Sequence, residues 1–350
     1  MLKKLDPWIF IPAFFLSLLG LLMVYTISSQ SLNQQLLFLG ISLLVFSLVL
    51  WLDDQILKAF GWFAYGSSLI LLIATYLFAG PTRGSIRWLD LGFLQFQPSE
   101  IVKPLLAIAF AFFASRFNLR KPKELIIFLG LFLGPFLLIL FQPDLGSAMV
   151  LASLWGVIAL ARGVNLKIII SLLFLGVVAA PMAFGLLQSY QKERLETFLM
   201  PGSDPLGSSY NQIQATIAVG SGKIWGKGLG RGVQAHLNFL PENKTDFIFA
   251  ALAEEFGFVG CLLILGLYLA VFFRLLALAE RPEDKFSQLL ILGVFAFMLF
   301  QTVVHVAMNL GLLPVTGLTL PFVSLGGSSL VSSWLSLGLV MAVSKSRRKV

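Results

Sequence analysis

Three acids, one lysine and one run of small residues occupy places where an apolar chain has no ordinary use for them. Asp246 stands in P-E-N-K-T-D-F-I-F-A, directly before a long apolar segment, and Asp144 stands in Q-P-D-L-G before another. Glu100 follows Q-P-S at the start of a third, and Lys103 follows it at i,i+3, a spacing that lets the two pair on one helix face. A fourth apolar segment opens with S-L-G-G-S-S, which includes Gly326, Gly327 and Ser328. Helix N-termini favour anions, and a Gly-Gly-Ser start lets backbone N–H groups come close to a phosphate. An aspartate there stays ionised, which suits a general base or a metal ligand better than a general acid. It also suits a helix cap, a role that Asn243 or Thr245 could share with Asp246 and that Pro143 favours for Asp144. Arg87 in G-S-I-R-W-L-D and Arg194, with Lys223, Lys227, Arg231 and Lys244, are cations able to hold a pyrophosphate.

Other polar residues lie deeper. Glu254 and Glu255 follow Asp246 in the same apolar segment, and acids so placed face a cavity or pair with a neighbouring helix. Gln301, His305 and Asn309 recur every four residues and make one polar stripe, either lining a cavity or bonding between helices. The G-K-G-L-G-R-G run lacks a phosphate loop's Gly-Lys-Ser/Thr ending and reads as turns. Two histidines and the single Cys261 give neither a zinc cluster nor an intrachain disulfide.

The elements that must carry these residues are membrane helices. Hydrophobic residues form 58% of the chain and charged residues 12%, too little polarity to cover a soluble protein of 350 residues. The apolar residues fall in runs long enough to cross a hydrocarbon core of about 30 Å, and barrel-like alternation is absent. The runs predict an all-α, polytopic integral membrane protein of ten helices: 8–26, 35–52, 57–79, 100–115, 124–141, 145–161, 167–188, 246–274, 286–309 and 323–343. The first run has no cleavage site after it and reads as a retained helix. Basic residues gather in alternate links and at both ends (Lys3, Lys4, Arg116, Arg120, Arg162, Arg274, Arg347, Arg348). By the positive-inside rule both termini are cytoplasmic. The net charge of +8 then reflects topology and contact with anionic membrane lipids, not nucleic-acid binding. The acids at 100, 144 and 246 and the Gly-Gly-Ser start all face outward, as does a large extracytoplasmic loop of about 188–245 with a short amphipathic helix expected near Tyr210 to Val219. No internal repeat is visible, and the chain reads as a single membrane domain.

Taken in order, G-S-I-R-W-L-D with F-Q-P-S-E-I-V-K, Q-P-D-L-G-S-A, Y-Q-K-E-R-L, Y-N-Q-I-Q-A-T-I-A-V-G-S-G, L-P-E-N-K-T-D-F-I-F-A-A-L-A-E-E-F-G and L-P-V-T-G-L-T-L-P-F-V-S-L-G-G-S-S resemble the SEDS proteins (shape, elongation, division and sporulation) along essentially the whole chain. Within that family the compact length and Q-P-D-L-G-S-A look more like the elongation branch. The resemblance implies ten membrane helices, bacterial inner-membrane location and polymerisation of lipid II into peptidoglycan strands. It implies release of undecaprenyl pyrophosphate and work beside a class B penicillin-binding transpeptidase. It makes Asp246 the residue essential for polymerisation, with a divalent cation, Mg²⁺ or Mn²⁺, a candidate companion. It makes Glu100 and Lys103 a functional salt bridge, and it matches Asp144 and Arg87 to motif positions. Gln95, Leu325, Asn243 and Lys244 depart from the usual pattern and leave Asp246 untouched. Two other functions suit the residues: a lipid II flippase using the intramembrane polar groups, and a scaffold that recruits the transpeptidase.

Overall fold

The computed structural model describes residues 5–80, 88–90, 95–183, 192, 209–237, 239–280 and 284–344. Arg87 and Arg194 lie outside the described residues. The helices are α1 (Pro7–Ile27), α2 (Ser29–Val49), α3 (Asp54–Ala59), α4 (Gly61–Phe78), α5 (Pro98–Arg116), α6 (Pro122–Phe141), α7 (Leu145–Ala161) and α8 (Leu166–Ala183). They continue as α9 (Tyr210–Ser221), α10 (Val233–His236), α11 (Ile248–Ala279), α12 (Lys285–Asn309) and α13 (Gly327–Ser344). Among the described residues the only other regular structure is a two-residue ladder, β1 (Leu89–Asp90) against β2 (Gln95–Phe96), with Leu89 opposite Phe96. Helix starts follow local chemistry. Asp6 accepts the Trp8 N–H at 3.1 Å ahead of Pro7, and Pro98 and Pro122 open α5 and α6, where a missing N–H costs nothing.

Eight described helices have the length and hydropathy to cross a membrane, and α7 and α8 are shorter apolar helices. Each falls on one of the ten expected segments, the third of which is divided into the short α3 and the spanning α4. Their outward surface is apolar: Leu36, Leu37, Ile41, Leu44 and Leu48 of α2 and Phe63, Ile70, Leu77 and Phe78 of α4 are all exposed. Water does not tolerate such stripes, and lipid does. Exposed Trp8, Trp51 and Trp62 stand at helix ends, where indole rings anchor at the membrane interface.

The chain forms two compact units. One comprises residues 1–47, 193–274 and 298–337, and the other residues 48–192, 275–297 and 338–350. In the first, buried Trp334 is ringed by Phe10, Phe46 and Phe322 at centroid distances of 5.3–5.6 Å, and its indole N–H donates to Ser17 Oγ. In the second, α5 packs against α4 and α7. Lys58 of α3 bonds Asp54 at 3.2 Å and Asp284, just ahead of α12, at 3.1 Å. Burial opposes the charge on Lys58, but hydrogen bonds to Asp284 and Asp54, with their charges, outweigh it and hold the ammonium above the usual lysine value.

The expected continuous eighth helix is broken. At Gly257 the backbone takes φ 67° and ψ −166°, a region open essentially to glycine alone. Residues 258–279 supply about 33 Å of helix, enough to cross a membrane without the preceding turns. The break is filled by a strap from far back in the sequence. Lys227 and Gly228 donate their N–H groups to the carbonyls of Glu254 and Glu255, and the Phe258 and Val259 N–H groups reach the carbonyls of Lys223 and Ile224. Each severed helix end thus regains hydrogen bonds. The strap makes its turns with glycines at positive φ: Gly226 at 78°, Gly228 at 96° and Gly230 at 71°. That is the turn role expected of the G-K-G-L-G-R-G run.

The same strap refines the reading of Glu254 and Glu255. Both are structural pairs, and their partners lie in the strap and in the short α10 that follows it rather than on another spanning helix. Glu254 accepts from Lys227 Nζ at 2.7 Å and from the Gln234 N–H at 3.1 Å, while Glu255 meets His236 Nε2 at 2.7 Å and accepts the Gly230 N–H at 3.1 Å. Both carboxylates are buried. Two fully desolvated acids are thereby compensated from the loop. A side chain at Gly257 would put its Cβ 2.2 Å from the Gly226 nitrogen. Gly257→Ala is therefore expected to cost about 1–3 kcal/mol from backbone strain alone. It should also release the strap, measurable as faster protease cleavage within residues 223–236.

Candidate active site

In the first unit, residues 241–247 turn into α11 and put half-buried Asp246 two residues ahead of its first turn. Four sets of bonds fix that turn. Asn309, from the end of α12, donates Nδ2–H to the Asp246 carbonyl at 2.9 Å and accepts the Ala250 N–H through Oδ1 at 3.0 Å. Ser324 Oγ donates to the Thr245 carbonyl at 2.8 Å, and the Leu325 N–H donates to the Lys244 carbonyl at 2.8 Å. Asn243 Nδ2 donates to the Ala235 carbonyl at 2.6 Å, which ties the turn to the strap side. Beneath it, Phe247 and Ala250 pack with Leu240 and with Ala215 and Ala218 of α9. The expected helix near Tyr210 to Val219 thus exists, and its alanine face props the aspartate from below.

At this helix start the two residues expected to share the cap with Asp246 make other bonds. The side chains of Asn243 and Thr245 bond Ala235 and Glu242 respectively, and Asn309 is the residue that takes a first-turn N–H of α11. The stripe on α12 is a set of anchors: Gln301 donates to the Thr319 carbonyl at 2.9 Å, and His305 Nδ1 bonds the Leu318 carbonyl at 2.7 Å. These fix the extended segment that leads through Ser324 to the start of α13. Gly326, Gly327 and Ser328 follow at once, so the Gly-Gly-Ser helix start and Asp246 belong to one hydrogen-bonded assembly. Gly327 also has a packing reason for lacking a side chain, since a Cβ there would come 2.4 Å from the Phe38 ring.

The second unit holds the other acids. Asp144 is the N-cap of α7: Oδ1 accepts the Ser147 N–H at 3.1 Å and Oδ2 accepts Ser147 Oγ–H at 2.8 Å. Gln97 and Ser99, at the start of α5, add bonds to Oδ2 at 3.3 Å each. The Q-P-S and Q-P-D motifs are thereby one buried polar joint between two helix starts. Lys103 Nζ bonds Glu100 Oε1 at 2.6 Å, and both side chains are less than 5% exposed. The i,i+3 pair is formed as its spacing predicts.

A family model for the FtsW, RodA and SpoVE cell cycle proteins matches residues 7–349. The chain belongs to this SEDS family. It is 34% identical over 350 residues to the peptidoglycan glycosyltransferase MrdB of Escherichia coli (strain K12), covering 98% of this chain and 94% of that one. It is 33% identical to the stage V sporulation protein E of Bacillus subtilis (strain 168), covering 99% of both. Among solved structures, a chain described under the structural coordination of polymerization and crosslinking by a peptidoglycan synthase complex superposes with TM-score 0.84 at 31% identity, covering 99% of each. The rod shape determining protein RodA of Thermus thermophilus superposes with TM-score 0.76 at 29% identity, covering 99% of this chain and 98% of that one. This SEDS chain is a multi-pass protein of the bacterial inner membrane.

Within the SEDS chain, Asp246, Gly326, Gly327 and Ser328 meet in one unit, and Glu100, Lys103 and Asp144 in the other. Asn309 is the site residue whose role the sequence left undecided. Its period-four spacing with His305 was the available signal, but only its two bonds identify it as the clamp on Asp246. Asn309→Leu strands the Ala250 N–H and frees the Asp246 carbonyl. The expected result is a loss of about 1–3 kcal/mol in unfolding free energy together with a fall in turnover rather than a rise in KM. Among the described residues no three His, Cys, Asp or Glu side chains converge. A single carboxylate such as that of Asp246 is the kind of ligand that holds Mg²⁺ together with a substrate phosphate.

Proposed function

We propose that this SEDS chain polymerises lipid II into glycan strands at the outer face of the membrane, with Asp246 as the general base. The observation that carries this reading is the clamped carboxylate: a half-buried aspartate at the positive end of α11, its backbone held by Asn309, beside the amide-rich start of α13. A sugar hydroxyl is a weak nucleophile, so a poised base is needed. The 4-OH of GlcNAc on one lipid II attacks the anomeric carbon of MurNAc on the growing chain. Its proton passes to Asp246, the bond to undecaprenyl pyrophosphate breaks, and the anomeric centre inverts. Negative charge builds on the leaving group, and N–H groups at Gly326, Gly327 and Ser328 stabilise it, with Arg87 and Arg194 assigned to the same task from the sequence alone. A divalent cation, Mg²⁺ or Mn²⁺, would be held between Asp246 and the pyrophosphate and would supply Lewis-acid assistance when bound.

Orientation follows from the basic links: both termini are cytoplasmic, and residues 188–245 with the start of α11 are outside. The whole chain acts as one catalytic membrane domain. Its partner is a class B penicillin-binding transpeptidase, consistent with the synthase complex in which a structural relative was solved. The elongation machinery is the assignment that the resemblance to MrdB and RodA supports. A flippase reading loses its motive, because Glu254, Glu255, His305 and Asn309 are each engaged in bonds that hold loops in place. Purified protein given labelled lipid II, with and without the transpeptidase, decides between the classes. Glycan strands are the expected product. Lipid movement across liposomes without strands would indicate a flippase, and no strands even with the partner would indicate a scaffold.

A further inference from the structure

The second unit contains a cavity that the reaction does not use. It has a volume of about 570 Å³, and its lining includes Arg116, Arg120, Arg162 and Lys285, with Phe117 and Leu160 on the wall. No carboxylate is among the described lining residues. The size suits a small-molecule site.

A scatter of positive-inside charges would leave its side chains free to spread into water. Two of these four cations are instead held, and a third lies close against backbone. Arg162 donates Nε–H to the Ala114 carbonyl at 2.7 Å and Nη2–H to the Phe117 carbonyl at 2.8 Å. The Arg116 guanidinium sits 4.2 Å from the centre of the Phe112 ring. Arg120 packs on Gly163, which has φ 84° and where a Cβ would approach Arg120 Nε to 2.8 Å. Fixed guanidinium groups around one space repel each other until an anion enters, and their planar forks match phosphate oxygens. The cavity lies where α5 and α7 end and α12 begins, so it opens at a membrane surface. Exposed Leu160 and Leu166 provide apolar ground beside it.

We propose that this cavity binds the phosphate headgroup of an anionic phospholipid from the cytoplasmic leaflet, whose acyl chains lie along the apolar helix surface. The leaflet rests on the orientation proposed above; the headgroup chemistry does not. The test compares wild type with Arg120→Gln/Lys285→Gln, two exposed positions, and with Lys121→Gln/Lys123→Gln, which removes equal charge outside the cavity. Bound phosphatidylglycerol, cardiolipin and phosphatidylcholine are counted by native mass spectrometry, and thermal shifts are read with each lipid and with inorganic phosphate. Wild type and the control pair are expected to retain the anionic lipids, and the cavity variant to bind them at least tenfold more weakly. Equal retention by the cavity variant, equal weakening by the control, retention of phosphatidylcholine to the same extent, or the same shift with inorganic phosphate would each overturn the proposal. Labelling of Asn118→Cys in a Cys261→Ser background reports the side of the membrane. Reaction from the cytoplasmic side supports the leaflet, and reaction from outside overturns it together with the orientation, independently of the binding result.

Discussion

Replacing Asp246 by Asn is expected to lower the rate of glycan polymerisation by about 10²–10⁴-fold, the range that removal of a general base produces. The substitution keeps size and shape but removes the proton acceptor. Bonds through the Asp246 carbonyl and through Lys244, Thr245 and Asn309 hold the turn whichever side chain stands at 246, and asparagine keeps the shape of the aspartate. Thermal unfolding should accordingly stay close to wild type while labelled strands disappear from the gel. Asp246→Glu sharpens the point. It restores a carboxylate but moves it by a methylene, and a displacement of about 1 Å can cost about 10²-fold where geometry decides the rate. Near-normal polymerisation by the asparagine variant would reject the base assignment and return Asp246 to the role of a structural residue at the start of α11.

The sequence announces some of this directly. Apolar runs bounded by Pro7, Pro98 and Pro122 mark helices α1, α5 and α6, and Asp144 after Pro143 marks the cap of α7, because each signal is local. The helix of residues 210–221 shows itself for the same reason, through small and apolar residues at helical spacing. The break at Gly257 does not. Phe256, Phe258 and Val259 continue the apolar pattern across it, and one glycine within such a run is ordinary. What makes the break affordable is the strap at 223–228, some thirty residues earlier, and no periodicity within the helix carries that information. Glu254 and Glu255 are legible only in part: charge in an apolar run predicts a partner, but not that the partners lie in the strap and in the short α10. Asn309 is legible as polar and misread in purpose, because a clamp is defined by what it touches.

Lys103→Met should be the most destabilising of these substitutions, by about 3–5 kcal/mol, because it removes the ammonium bonded at 2.6 Å to the buried Glu100 carboxylate. Removing both charges, in Glu100→Leu/Lys103→Met, should recover most of that loss, since apolar replacement of a buried pair is often neutral or favourable. The double variant separates two roles that the single one confounds. Glu100 and Lys103 sit in the first two turns of α5, near the Gln97 and Ser99 bonds to Asp144, so a purely structural pair would be replaceable by any well-packed substitute. Melting temperature and polymerisation would then return together. If the pair is instead a functional salt bridge, as the resemblance implies, the double variant will unfold like wild type and still make no strands. That second result is the one expected here, because a chain this short of charge retains a buried ion pair at a cost that packing alone does not require.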